Sequence, residues 1–250
     1  MRYVSLSWLV GFLVSVPLYG ASEVISHGPR VAEKKVALTF DACPTRGEGF
    51  DQRILETLWS YQVPTTFFLS GAWIEKHEDL TRYLANMPFF ELGSHAYAHP
   101  MLTQLTTQSV KEDLAAAQYT FFGLLGVWPQ FLRPPYGEYN DQVLTVASEL
   151  GLKTINFDVP SGDADMNLTP KALVDWVNYK THSGSIIVMH INHPEFHTAE
   201  ILPQIIEGLR AQGFELTTVS SLLASQTDEN VCVAVEPEML VSLTPPAFSN

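Results

Sequence analysis

Two histidines, His95 and His99, stand four residues apart in Gly93-Ser94-His95-Ala96-Tyr97-Ala98-His99-Pro100, where an apolar run ends. Imidazole nitrogens ligate divalent metals, zinc in particular. A helical turn after Ser94 would bring both rings to one face, because residues four apart are neighbours there. Alone, such a pair carries little information. Its weight comes from other polar residues that close apolar runs: Asp41, Arg133, Asp158 and His190. Together they suit metal-assisted hydrolysis of an amide or ester. A metal on His95 and His99 would polarise the carbonyl and acidify a bound water. Asp41 would take the water's proton, and His190 would protonate the leaving amine or alcohol. Donors near Arg133-Pro134-Pro135-Tyr136-Gly137 would hold the developing oxyanion.

These residues need a scaffold that gathers them. Seven short runs rich in Val, Ile, Phe and Thr read as strands: 36–40, 65–69, 90–93, 130–133, 154–158, 185–190 and 215–218. Helical signals lie between them. Ser109-Val110-Lys111-Glu112 has the capping-box pattern, and the helix it opens should stop near Gly126. Thr169-Pro170 is an N-cap followed by proline at the first helical position. Gly184 and Gly213 stand where helices should end. Ile201, Leu202, Ile205, Ile206 and Leu209 form one apolar stripe. Alternating β and α units predict an α/β fold with a parallel sheet, either open or a barrel, and chemistry at the C-terminal strand ends. Asp41, His95, Arg133, Asp158 and His190 all fall at such ends.

Five segments, in order, resemble the motifs of the polysaccharide deacetylases, the family 4 carbohydrate esterases. They are Thr39-Phe40-Asp41-Ala42-Cys43-Pro44, Ser94-His95-Ala96-Tyr97-Ala98-His99-Pro100, Arg133-Pro134-Pro135-Tyr136-Gly137, Asn156-Phe157-Asp158-Val159-Pro160-Ser161-Gly162-Asp163 and Ile187-Val188-Met189-His190. The resemblance implies a distorted seven-stranded (β/α) barrel and a divalent metal, zinc first. It implies Asp41 as base, His95 and His99 as metal ligands, and Arg133 as the partner of the base. It further implies an oxyanion-binding backbone amide at Tyr136, His190 as acid, and Asp163 as the carboxylate that orients it. Two positions depart from the family pattern. Ala42 stands where a second aspartate supplies the third metal ligand, leaving Asp41, a water or Cys43 for that place. Asp163 is followed by Ala164 rather than tryptophan, so the apolar wall needs another source, with Trp128 and Trp176 as candidates. Tyr97 and Tyr139 are candidates for stacking on sugar, and His193 and His197 for contacting substrate or metal.

The 250-residue chain carries a formal charge of -13, from 14 Lys and Arg against 27 Asp and Glu. That balance excludes nucleic acid and anionic membrane surfaces as partners. It leaves a neutral, acetylated polysaccharide admissible. Residues 1–21 read as a signal peptide: Met1-Arg2, an apolar run from 8 to 18, and small residues at Gly20-Ala21. The run is shorter than the ~20 residues of a spanning helix, so a secreted or periplasmic protein without a stable membrane anchor is expected. The expected organisation is a segment 22–34, a catalytic domain 35–225 and a tail 226–250, as a monomer. In an oxidising compartment Cys43 and Cys232 could be bridged.

Overall fold

Along the first strand, β1 (Lys35–Ala42), residues 36 to 42 are all buried. A strand covered on both faces belongs at the centre of a parallel sheet. The structure is a computed structural model describing residues 23–31, 33–44 and 49–224. In it, β1 lies between β2 (Thr65–Leu69) and β7 (Ile186–His190), all parallel. The sheet continues through β3 (Phe90–Ser94), β4 (Phe131–Leu132) and β5 (Lys153–Thr154) on one side and β6 (Val159–Pro160) on the other. β8 (Glu215–Thr217) joins the start of β1. Seven strands lie along the path of the sheet, as expected, with β8 pairing off that path; β5 opens the expected fifth run 154–158, and β6 follows just after it. The architecture is otherwise the expected curled parallel sheet wrapped by helices.

The helices are α1 (Gln52–Ser60), α2 (Gly71–Lys76), α3 (Glu78–Asn86), α4 (Thr107–Leu125), α5 (Asp141–Glu149), α6 (Pro170–Lys180), α7 (Thr198–Ala211) and α8 (Val219–Ala224). Most of the core lies between them and the sheet's outer face. Phe40, Phe67, Ile54, Leu58, Trp73, Ile187, Ile201 and Ile205 belong to one cluster there. A second cluster fills the curl itself: Ala37, Phe68, Phe131, Ile155, Ile186, Val219 and Leu222. Phe68 fits because its neighbour on β3 is Gly93, where a Cβ would stand 2.8 Å from the Phe68 ring. The inside of the curl is therefore a packed plug, and only its C-terminal end is free for a site.

Two capping expectations need correction. α4 starts earlier than the Ser109 motif implied: Thr106 is its N-cap, and its hydroxyl accepts from the Ser109 amide. Gly126 does end α4 in the left-handed conformation, and Thr169 does cap α6. Gly184 is not a helix cap, since α6 ends at Lys180. It serves a strap instead. Residues 25 and 27 bridge to Ile155 and Ser185, across the seam between β5 and β7. Gly28 N–H donates to the Gly184 carbonyl at 2.7 Å. Gly184 has φ +83°, and a Cβ there would lie 2.5 Å from the Pro29 carbonyl oxygen. Among the described residues no helix is long and apolar enough to cross a membrane. The expected signal peptide, the tail and Cys232 lie outside the described residues.

Gly184→Ala adds both left-handed strain and a backbone clash. It should lower unfolding free energy by about 2–4 kcal/mol in chemical denaturation. An unchanged midpoint would mean that the strap contributes nothing to the fold.

Candidate active site

Arg133 is fully buried, with no exposed surface. A guanidinium loses its hydration in such a place and must be repaid by partners. Its Nη1 donates to Asp41 Oδ1 at 2.8 Å and to the Thr39 hydroxyl at 2.7 Å. Its Nη2 donates to the Asn156 carbonyl. The plane lies over Phe68, 4.0 Å from the ring centre. The side chain thus caps the apolar plug and projects its charge at the end of β1. Burial pushes the Asp41 carboxyl up. The charges of Arg133, His95 and His190 more than reverse this, holding it below the usual carboxylate range.

His95 and His99 are brought together, but by no helix. Residues 95–100 form a loop in which Ala96 and His99 take left-handed φ values of 63° and 58°. The two rings meet edge to face, 4.7 Å between centres. The loop is clamped from both sides. Amides of Gly71 and Ala72, at the start of α2, donate to the carbonyls of Ala96 and Tyr97. The Asp113 carboxylate on α4 accepts from the amides of Tyr97 and Ala98 at 2.8 and 3.1 Å. Tyr97 packs its ring on Gly71 and donates its hydroxyl to Glu75, so it is a loop anchor and not a sugar platform.

His95 Nδ1 lies 2.8 Å from the Arg133 carbonyl and donates to it, which leaves Nε2 as the acceptor nitrogen. That Nε2 lies 3.7 Å from Asp41 Oδ2, the oxygen Arg133 leaves free. Burial holds His95 below its ordinary range. Burial, reinforced by His95, lowers His99 to about 4. Both rings are therefore neutral at pH 7, the form that ligates metal.

His190 is the register partner of Asp41 on the neighbouring strand. Its Nδ1 lies 3.0 Å from Asp163 Oδ1, while its amide donates to Asp163 Oδ2 at 2.8 Å. The Thr198 hydroxyl donates to the same Oδ2 at 2.6 Å. Burial pulls the His190 pKa down, but the Asp163 bond and charge override it, and the net shift is upward. The ring is a cation-stabilised acid, opposite in character to His95 and His99.

These groups face a cleft of about 540 Å³. Asp41, Cys43, His95, His99, Tyr136, Asp163 and His190 line it, with Phe157, Pro160, Ala164, Val188 and Phe196 as its apolar part. Neither Trp128 nor Trp176 belongs to that wall; Phe157 and Phe196 supply the aromatic surface. Tyr136 has φ 62° and sets its ring against His99, 4.6 Å between centres. His193 lines the cleft, stacked on Phe196 and paired with Glu195. His197 instead flanks the start of α7 and pairs with Glu200. Asp158 belongs to the seam, where it binds Arg30, Ser185 and the Ile186 amide. The Cys43 sulfur accepts from the Asn192 amide at 3.3 Å.

The donors suit a divalent ion in kind: two neutral imidazoles and one free carboxylate oxygen. Ala42 supplies nothing, because it is buried within the outer cluster with Phe40. Among the described residues no three His, Cys, Asp or Glu side chains close around one point. Among the described residues, the Asp41 Oδ2 oxygen, 3.7 Å from His95 Nε2, is a candidate third donor, and Cys43 lines the same cleft.

A sequence model described as polysaccharide deacetylase matches residues 28–155. The chain belongs to the polysaccharide deacetylase family. "Uncharacterized protein YlxY" of Bacillus subtilis (strain 168) is 32% identical over 177 residues, 71% of this chain and 54% of that protein. Peptidoglycan-N-acetylglucosamine deacetylase PgdA of Listeria monocytogenes is 32% identical over 193 residues, 76% of this chain and 39% of that protein. The chain thus spans about half or less of the length of these relatives. Among solved structures, a family 4 carbohydrate esterase pseudoenzyme from Bacillus anthracis has a TM-score of 0.73. It is 28% identical, and the match covers 81% of this chain and 69% of that one.

Within this polysaccharide deacetylase domain, Asp113, Thr39 and Thr198 hold site residues without touching the cleft. No local pattern marks Asp113, which stands in mid-helix and acts on a loop 15 residues away. Two outcomes test the geometry. Arg133→Met strands the Asp41 charge in the fold and should cost about 3–5 kcal/mol in denaturant unfolding; a small loss would show that the pair is not buried as described. A protonated His190 donates below its folded pKa, so activity falls as pH rises through that raised value. Asp163→Asn removes the cause of the rise and should shift the alkaline limb of the pH–rate profile to lower pH. An unmoved limb would remove His190 from the acid role.

Proposed function

We propose that the chain hydrolyses the N-acetyl group of an amino sugar within a polysaccharide, such as peptidoglycan or a chitin-like glycan. O-acetyl esters are the second substrate class. The observation that carries this reading is the pairing of two opposed dyads at one strand register. Arg133 favours the ionised form of Asp41 and Asp163 favours the protonated form of His190, and both Asp41 and His190 line a solvent-open cleft.

His95, His99 and Asp41 Oδ2 would hold a divalent metal, with zinc favoured by the nitrogen donors. When bound, it would polarise the acetyl carbonyl and acidify water. Arg133 fixes Asp41 through Oδ1, so that Oδ2 either completes the metal's shell or takes the proton of the incoming water. The cationic His190 then gives its proton to the departing sugar nitrogen, and Asp163 keeps Nδ1 occupied so that Nε2 donates. The Tyr136 amide would bind the oxygen that gains charge. Peptidoglycan is supported by the name of the Listeria relative. Export to the periplasm or medium is supported by the signal-like residues 1–21, and the protein is taken to act as a monomer.

A second reading is favoured by one position. Ala42 withholds the usual third ligand, and the Bacillus anthracis relative is a family 4 carbohydrate esterase pseudoenzyme. On that reading the protein grips glycan without turnover.

Acetate release from acetylated chito-oligosaccharide by the purified protein separates the two. Chelator-stripped protein should lose release and regain it with zinc. His95→Ala should lower kcat/KM by at least ~10². Full activity after stripping removes the metal from the mechanism, and glycan binding without acetate establishes the second reading. Asp41→Asn should lose both metal and activity; retained metal with lost activity would make Asp41 the base alone.

A further inference from the structure

Trp176 lies outside the cleft yet is tied to its rim. Its indole N–H donates to the Pro160 carbonyl at 2.9 Å. Pro160 lines the cleft, three residues before the Asp163 that holds His190. The Trp176 ring is nonetheless 44% exposed. Trp73 makes a useful contrast. Its N–H also bonds a backbone carbonyl, that of Gly49, but it is 1% exposed and belongs to the core. Core packing does not call for a ring whose polar edge is fixed while its apolar body stays in water.

The surroundings of Trp176 are of one kind. Tyr179, one turn along α6, is exposed, as are Met166 and Leu168 in the segment leading from the cleft to α6. The Lys180 ammonium stands 4.8 Å from the centre of the Trp176 ring and 5.7 Å from that of Tyr179. The segment is packed down on the helix: a Cβ at Gly162 would meet Leu173 at 3.0 Å and Leu168 at 3.7 Å. The cleft edge and the aromatic surface are thus joined at Pro160, through the Trp176 bond, and at Gly162, through Leu173 and Leu168. A flat, edge-anchored aromatic body beside a hydrogen-bond donor suits a pyranose, which offers an apolar C–H face and a rim of hydroxyls.

We propose that Trp176, with Tyr179 and Lys180, is a second sugar-binding station that engages a neighbouring unit of the same glycan chain. The substrate is then an oligomer or polymer, not a free amino sugar. This rests on the glycan-deacetylase reading above and adds to it a length requirement.

The test compares kcat/KM for the dimer and the pentamer of N-acetylglucosamine, using the full chain. The wild type should prefer the pentamer. Trp176→Ala should cut that preference roughly three- to tenfold, mainly through KM. Trp176→Phe should keep most of it, and Trp128→Ala, a change at an exposed tryptophan outside this aromatic surface, should keep all of it. A pentamer preference that survives Trp176→Ala overturns the proposal. So does an equal loss on both substrates with a displaced pH profile, which would mean that Trp176 acts only by supporting Pro160 and Asp163. If no variant releases acetate, the failure belongs to the catalytic reading. Pentamer titration then decides the rim: a several-fold weaker Kd for Trp176→Ala supports it, and an unchanged Kd overturns it.

Discussion

A guanidinium without water is an expensive object, and the whole site is arranged around one. Arg133 sits on the aromatic plug that fills the curled sheet, and among the described residues Asp41, Thr39 and the Asn156 carbonyl accept from its Nη1 and Nη2, while its buried Nε has no partner. The ion pair must form for the plug to be capped, so folding and site assembly are one event. The same contact sets several others. The Arg133 carbonyl fixes the tautomer of His95. The Arg133 charge keeps Asp41 ionised despite burial. Asp41 lies in register with His190 on the adjoining strand, so the carboxylate and the imidazole inherit their spacing from sheet geometry.

Most of this was legible in the sequence where it depended on periodicity or on short-range order. Strands β1, β2, β3 and β7 announce themselves as apolar runs, and Asp41, His95 and His190 stand at or just beyond the ends of β1, β3 and β7. Asp163 and His190 were readable through the family likeness, and the pairing is present. What sequence reasoning misplaced had a common cause. The His95–His99 pair met through tertiary clamps, Asp113 on one side and the start of α2 on the other, and helical periodicity knows nothing of either. Gly184 looked like a helix stop because positive φ is shared by caps and by backbone crossings, and only the strap distinguishes them. Tyr97 looked free because its partner Gly71 is distant along the chain.

Two electrostatic environments coexist within one cleft. Around His95 and His99, burial favours neutral rings, and the His95 charge adds to it at His99. Around His190, a dedicated carboxylate with its own hydroxyl support favours the cation. A few ångströms of protein thus divide nitrogen donors from a proton donor, using the same side-chain type. Ala42 does not disturb that division, since it faces the outer cluster, away from the charges.

The left-handed backbone at His99 reaches beyond the site. Asparagine and glycine occupy that conformation readily, whereas β-branched residues do not. An imidazole can therefore be lost there in a single step with almost no penalty to the scaffold, while Arg133 cannot be lost without endangering the fold. Chemistry in this architecture is easier to erase than shape.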